Sequence, residues 1–188
     1  MNFIKELQAY RDREIEVFQR LNLNDVNMVM NVLEEARLSG KHVFTCGNGG
    51  SAATASHFCC DFNKGVSETL EKKYNFECLS DNVATMMAVA NDTSYDEVFR
   101  FPLKNKMQQG DILLGISGSG NSKNVINAFE CAKELGGKTI AIVGYSGGKM
   151  KEMADYCIHV DVNDMQISED LHMVLDHMMM WVLHHCVR

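Results

Sequence analysis

The chain is poor in the residues that build several kinds of protein. It has one proline and one tryptophan in 188 residues, and no low-complexity tract, so no disordered segment is expected beyond the termini. Seven cysteines are present, an odd number, with no C-x-x-C pair, which argues against a disulfide framework and for a reducing compartment. Basic residues are in deficit, with 18 Lys and Arg against 25 Asp and Glu and a net charge of −7, so no basic surplus is available to hold nucleic acid or an anionic membrane. No stretch approaches the ~18 apolar residues of a membrane span. The opening Met1-Asn2-Phe3-Ile4-Lys5-Glu6 is broken by charges and does not read as a secretory signal. These absences together lead to the expectation of a cytoplasmic protein.

What remains is an ordinary globular composition, 46% hydrophobic and 23% charged, at a length that suits one domain over 1–188. Residues 1–38 carry apolar positions at helical spacing (Ile4, Leu7, Tyr10; Ile15, Phe18, Leu21), and Asp25 reads as the cap of a second helix. These helices are expected to pack on the chain's own sheet or on a partner subunit. From residue 39 onward the pattern becomes strand, loop, helix. Apolar runs fall at 42–46, 76–79, 111–116, 139–143 and 157–160, with helical stretches at 52–62, 83–90, 123–135 and 168–186. That alternation predicts an α/β fold, a three-layer, doubly wound, five-stranded parallel sheet with ligands beyond the carboxyl ends of its strands. The three glycine-rich loops, 47–51, 117–122 and 144–148, all lie at those ends and should converge.

The strongest local signal is Ser117-Gly118-Ser119-Gly120-Asn121-Ser122. A plain turn needs one serine as helix cap. Three hydroxyls, glycines that let backbone N–H groups approach, and a following helix N-terminus suit a phosphate dianion. Gly47-Asn48-Gly49-Gly50-Ser51-Ala52 also fits the loose dinucleotide pattern G-x-G-x-x-A. The acidic residue such a site wants about 20 positions on is missing. Asp61 comes too early, and Glu77 and Asp81 too late, so a sugar is preferred to a nucleotide cofactor.

His57 and Asp61 are spaced i, i+4 and face one side of a helix. Glu169, His172, Asp176 and His177 are polar residues within the Met/Leu-rich last helix. Carboxylates and histidines near the ligand loops suit a metal site or an acid–base pair, against the plainer reading of a surface or network histidine. Cys59 and Cys60, beside Asp61, read first as small buried hydrophobes.

The run Gly47 to Ala53 through His57-Phe58, together with Gly115 to Val125, Asn91-Asp92 and Gly147-Gly148-Lys149-Met150, resembles the sugar isomerase (SIS) domain, in its phosphoheptose isomerase branch. The resemblance covers most of the chain. It implies a flavodoxin-like sheet, a homotetramer, and conversion of sedoheptulose 7-phosphate into D-glycero-D-manno-heptose 7-phosphate. It implies that Ser51, Ser117, Ser119 and Ser122 hold the phosphate and Asn48 and Asp92 the sugar, with Gly49, Gly50, Gly118 and Asn121 shaping the substrate loops. It puts the base at Asp61 and the acid–base partner at His177, and the carboxylate of Glu169 offers another base. Some members of the family bind zinc, one ion per site, through positions matching His57, Asp61, Glu169 and His177. This chain departs from the pattern in four places: Asp61 stands where the family has glutamate, Glu169 where it usually has glutamine, Gly65 where it commonly has arginine, and Cys59-Cys60 where it usually has small or acidic residues. The departures keep two other roles open, a non-catalytic phosphosugar-binding regulator of the kind that associates with the replication initiator DnaA, and an isomerase of another sugar phosphate.

Overall fold

The structure, a computed structural model, describes residues 1–187. Two helices come first, α1 (Ile4–Gln19) and α2 (Leu23–Leu38), the latter capped by the Asn22 side chain, which accepts from the Asn24 N–H. Five strands follow, β1 (Val43–Cys46), β2 (Phe76–Cys78), β3 (Ile112–Ser117), β4 (Lys138–Val143) and β5 (Tyr156–His159). They form one parallel sheet in the order β2-β1-β3-β4-β5. The connecting helices are α3 (Gly50–Cys60), α4 (Val83–Asp92), α5 (Arg100–Lys106), α6 (Lys123–Glu134) and α7 (Gly148–Met153), and α8 (Met165–Cys186) closes the fold.

The central strands are apolar end to end because helices cover both faces, as parallel sheets require. Side chains alternate between the faces along each strand. Val43, Ile112, Leu114, Ile140 and Ile142 pack with Phe58, Phe62, Leu171 and Leu175 on one side. Phe44, Leu113, Ala141 and Val143 pack with Leu103, Val125, Phe129 and Met150 on the other. Gly115 in β3 leaves the room that the Phe129 ring fills.

Three differences from the expected elements have local causes. Asp111 precedes β3 rather than joining it, because its carboxylate accepts from the His42 and Gln108 N–H groups. The last helix begins at Met165, three residues early, because Asp164 caps it through the Ile167 N–H. The helix α3 does not stop near residue 62. It runs on through a π-helical turn, Asp61–Val66.

Helix α1 is the least embedded element. Of its side chains only Val17 is buried, while Ile4, Leu7, Ile15 and Phe18, with Phe3 just before the helix, stand exposed.

Candidate active site

The three glycine-rich loops converge at the carboxyl ends of β1, β3 and β4. The Met150 N–H donates to the Gly120 carbonyl at 3.0 Å, the Gly144 N–H to the Gly118 carbonyl at 2.9 Å, and the Lys149 N–H to Asn121 Oδ1 at 3.1 Å. Asn121 also donates to the Ser119 carbonyl, so it braces the cradle. The loop after β1 is tied in by Asn48 and Asn124, which exchange two amide hydrogen bonds of 2.9 Å each. The Tyr95 hydroxyl donates to the same Asn48 oxygen at 2.7 Å. Sequence reasoning does not single out Asn124 or Tyr95. The signal for Asn124 is an asparagine on the buried face of α6, where an amide needs a partner.

Ser122 occupies the N-cap position of α6, but its hydroxyl does not cap the helix. It pairs with Ser117 Oγ at 3.1 Å. Ser117, buried, and Ser119 and Ser122, half-buried, gather at the N-terminus of α6, and Ser51 is buried in the first turn of α3. Asp92 is exposed at the last turn of α4, where the Asn91 amide donates to it. Between the β1 loop and α4 lies an open cleft of about 300 Å³, lined by Gly49, Ala52, Met86, Met87 and Tyr95 among others.

The titratable cluster lies further along α3. α8 runs beside α3 in the same direction: Glu169 lies over Gly50, His177 opposite His57, and Met180 over Gly65. This parallel packing brings His57 Nε2 to 3.0 Å from His177 Nε2, and Asp61 Oδ2 to 3.5 Å from His57 and 3.9 Å from His177. The fourth residue of the group is Asp176, and one ligand atom from each of the four lies within 4.8 Å of the others. Glu169, expected in this group, is instead against Gly50 at the start of α3. Eight residues of helix, about 12 Å, separate it from His177.

Asp176 is fully buried, and burial together with the neighbouring Asp61 pushes its carboxyl up to about 8. His172, one turn earlier, is equally buried and is pushed down to about 4, chiefly by loss of solvent, with the Val143 carbonyl opposing. Of the two cysteines beside Asp61, Cys59 is half-buried, and Cys60, expected to be buried, is exposed. A hydrogen bond with Cys78 and burial hold Cys59 well above the usual thiol range, and burial does the same to Cys46.

The donor set suits zinc. Bonds of about 2.0–2.1 Å put tetrahedral donors roughly 3.4 Å apart, close to the separations between the two imidazoles and Asp61. The Asp176 oxygens, buried without a partner, supply a further acceptor at the same point.

The SIS domain family model matches residues 6–144. The phosphoheptose isomerase of Aliarcobacter butzleri is 35% identical over 174 residues, covering 93% of this chain and 91% of that protein. The probable phosphoheptose isomerase of Thermoplasma acidophilum is 39% identical over 173 residues, covering 92% and 94%. Among solved structures, the phosphoheptose isomerase GmhA of Neisseria gonorrhoeae superposes with a TM-score of 0.90 at 26% identity, over 98% of this chain and all of that one. With five parallel strands in this order, three serine- and glycine-rich loops at their carboxyl ends, and relatives of this kind along nearly the whole length, the chain belongs to the SIS domain family, in its phosphoheptose isomerase branch.

Proposed function

We propose that the chain is a single-domain aldose–ketose isomerase that converts sedoheptulose 7-phosphate into D-glycero-D-manno-heptose 7-phosphate. The observation that carries this reading is the arrangement along α3. Ser51 sits at its N-terminus beside the serine cradle, and His57 and Asp61 follow on the same helix, roughly 9 and 15 Å further along its axis. Such a helix serves as a ruler, with the phosphate at one end of an extended sugar and the reacting carbons at the other. The names of the relatives, phosphoheptose isomerases in both bacteria and Thermoplasma, agree.

In the reaction, Ser51, Ser117, Ser119, Ser122 and the α6 N-terminus hold the phosphate. Asn48, Asp92 and the glycines of both loops shape the channel for the sugar hydroxyls. Asp61 removes a proton from C1 of the ketose, and that C–H electron pair becomes the C1=C2 bond of the enediol(ate). His177 moves a proton from O1 to O2, and return of a proton to C2 leaves the aldehyde at C1. Asp61 is the better placed base, since it lies with His57 and His177, whereas the Glu169 carboxylate lies against Gly50 at the start of α3. A zinc ion held by His57, Asp61 and His177 would supply charge stabilisation for the developing enediolate oxygens.

The exposed apolar side of α1 supports self-association, because such a face asks for a partner, and a homotetramer is the assembly that the family resemblance implies. Among the described residues no helix is long and apolar enough to cross a membrane. The reading of a cytoplasmic enzyme rests on the cysteine usage, seven residues with no C-x-x-C pair. A purely regulatory phosphosugar-binding role is less well supported, since the acid–base cluster is intact.

The test is turnover of sedoheptulose 7-phosphate, with and without zinc, by the wild-type chain and by His177→Ala. Activity that disappears in the variant supports the isomerase. A wild-type chain that is stabilised by the sugar phosphate but never turns it over would leave a binding module or another substrate.

A further inference from the structure

We propose that Asp176 is a metal ligand of this chain, so that the ion is held by two histidines and two aspartates, His57, Asp61, Asp176 and His177, without Glu169. The proposal rests on the metal reading above but not on the reaction.

Three observations carry it. Asp176 has no accessible surface, and neither of its carboxylate oxygens has a hydrogen-bond partner. A buried carboxylate is costly, and natural folds answer it with a proton, a hydrogen bond, a counter-charge or a metal. No side chain answers this one. His172, on the same face of α8, makes no hydrogen bond to it, and Asp61 offers only more negative charge. Asp176 also supplies a ligand atom within 4.8 Å of those of His57, Asp61 and His177, while Glu169 belongs to no such group among the described residues.

The geometry explains how two adjacent residues reach one point. Neighbours on a helix diverge by about 100°. Here α8 lies against α3, so His177 comes to the cluster from the solvent side, being half exposed, and Asp176 from the core side. The pair straddles the point that His57 and Asp61 approach from α3. Charge balance favours the same set. Two carboxylates and two neutral imidazoles around a divalent cation are neutral overall, which a buried site tolerates.

The experiment measures affinity rather than turnover. Wild type, Asp176→Leu, Asp176→Asn and Glu169→Gln are stripped of metal and titrated with zinc against a chromophoric chelator, and with cobalt(II) to follow its visible absorption. Asp176→Leu is expected to weaken zinc binding about a hundredfold or more, since even outer-shell partners of metal ligands are worth roughly ten- to a hundredfold. It should also alter the cobalt spectrum. Glu169→Gln should bind zinc within about threefold of wild type. Thermal melts of the metal-free proteins control for folding, and Asp176→Asn, nearly isosteric, serves if the leucine variant does not fold. Zinc affinity unchanged in the position-176 variants, or a loss carried by Glu169→Gln instead, would overturn the assignment. A wild type with no zinc affinity would overturn it together with the metal reading, and turnover without metal would then stand on its own.

Discussion

Gly120 and Gly147 meet backbone against backbone: the place where a β-carbon on Gly120 would stand is taken by the Gly147 carbonyl oxygen. Gly120 also has φ of +63°, in the left-handed region that side chains avoid. Nothing in this contact is the movable end of a side chain. Gly120→Ala is therefore expected to lower stability by about 2 kcal/mol or more in urea unfolding, from strain and overlap together, and to weaken phosphate binding with it. Gly40→Ala is the control. It has φ of +66° but open space around it, so only the backbone strain of about 1 kcal/mol should appear.

Substitution at the proposed base separates chemistry from folding. Asp61→Asn keeps the shape and removes the charge. It is expected to lower kcat by about 10²- to 10⁴-fold, the usual contribution of general acid–base catalysis, while the circular dichroism spectrum stays unchanged.

The serine cradle should act on binding more than on rate. Ser119 is half-buried, and its oxygen accepts from the Asn121 N–H, which leaves its hydroxyl proton to donate. A hydrogen bond to a charged group contributes about 1.5–3 kcal/mol. Ser119→Ala is expected to raise KM for the sugar phosphate by roughly ten- to a hundredfold, with a smaller change in kcat. Equal losses in kcat and in kcat/KM would contradict this division.

An acid-sensitive element sits away from the site. Arg37 Nε donates to Glu34 at 2.8 Å, the Tyr74 hydroxyl donates to the same oxygen at 2.7 Å, and Arg37 lies over the Tyr74 ring. The bond from Arg37, followed by that from Tyr74, holds the Glu34 carboxyl below its ordinary 4.5. A lowered carboxyl stabilises the fold above its unfolded value, and the contribution fades as pH falls through the folded value. Glu34→Gln is thus expected to cost about 1–2 kcal/mol at neutral pH. Its urea midpoint should approach that of wild type as pH is taken down below 4.5.

The uncovered side of α1 gives a test of assembly. Leu7 and Phe18 are 67% and 41% exposed and make little of the chain's own core. Leu7→Glu with Phe18→Glu should shift the particle to a smaller mass by light scattering while leaving the fold of each chain intact.

Much of this was legible in the sequence because it is local. The strands β1, β3 and β4 are short apolar runs stopped by glycine, and a serine loop opening a helix announces its chemistry at once. Helix α5 was not legible. It has seven residues, with Pro102 near its start and three cations, so its helical period is too brief to read. The π-helical turn after Cys60 was hidden for a similar reason, since nothing in Asp61–Val66 distinguishes one hydrogen-bond register from the next. Asp176 was visible as a polar residue in a Met/Leu-rich helix, but its burial is set by α3, more than a hundred residues away in the chain. Glu169 was assigned to the metal group through resemblance. The parallel run of α3 and α8 is what moves it to the other end of the helix pair.

That reciprocal amide pair between Asn48 and Asn124 has a consequence for how the protein can change over evolutionary time. Each side chain donates to and accepts from the other across 76 positions of sequence. An aspartate at one place would set oxygen against oxygen, and a leucine would strand a buried amide. Single changes at either position are therefore penalised, and the two loops are inherited as one unit: diversification of the sugar pocket should proceed around this pair, on α4 and α8, rather than through it.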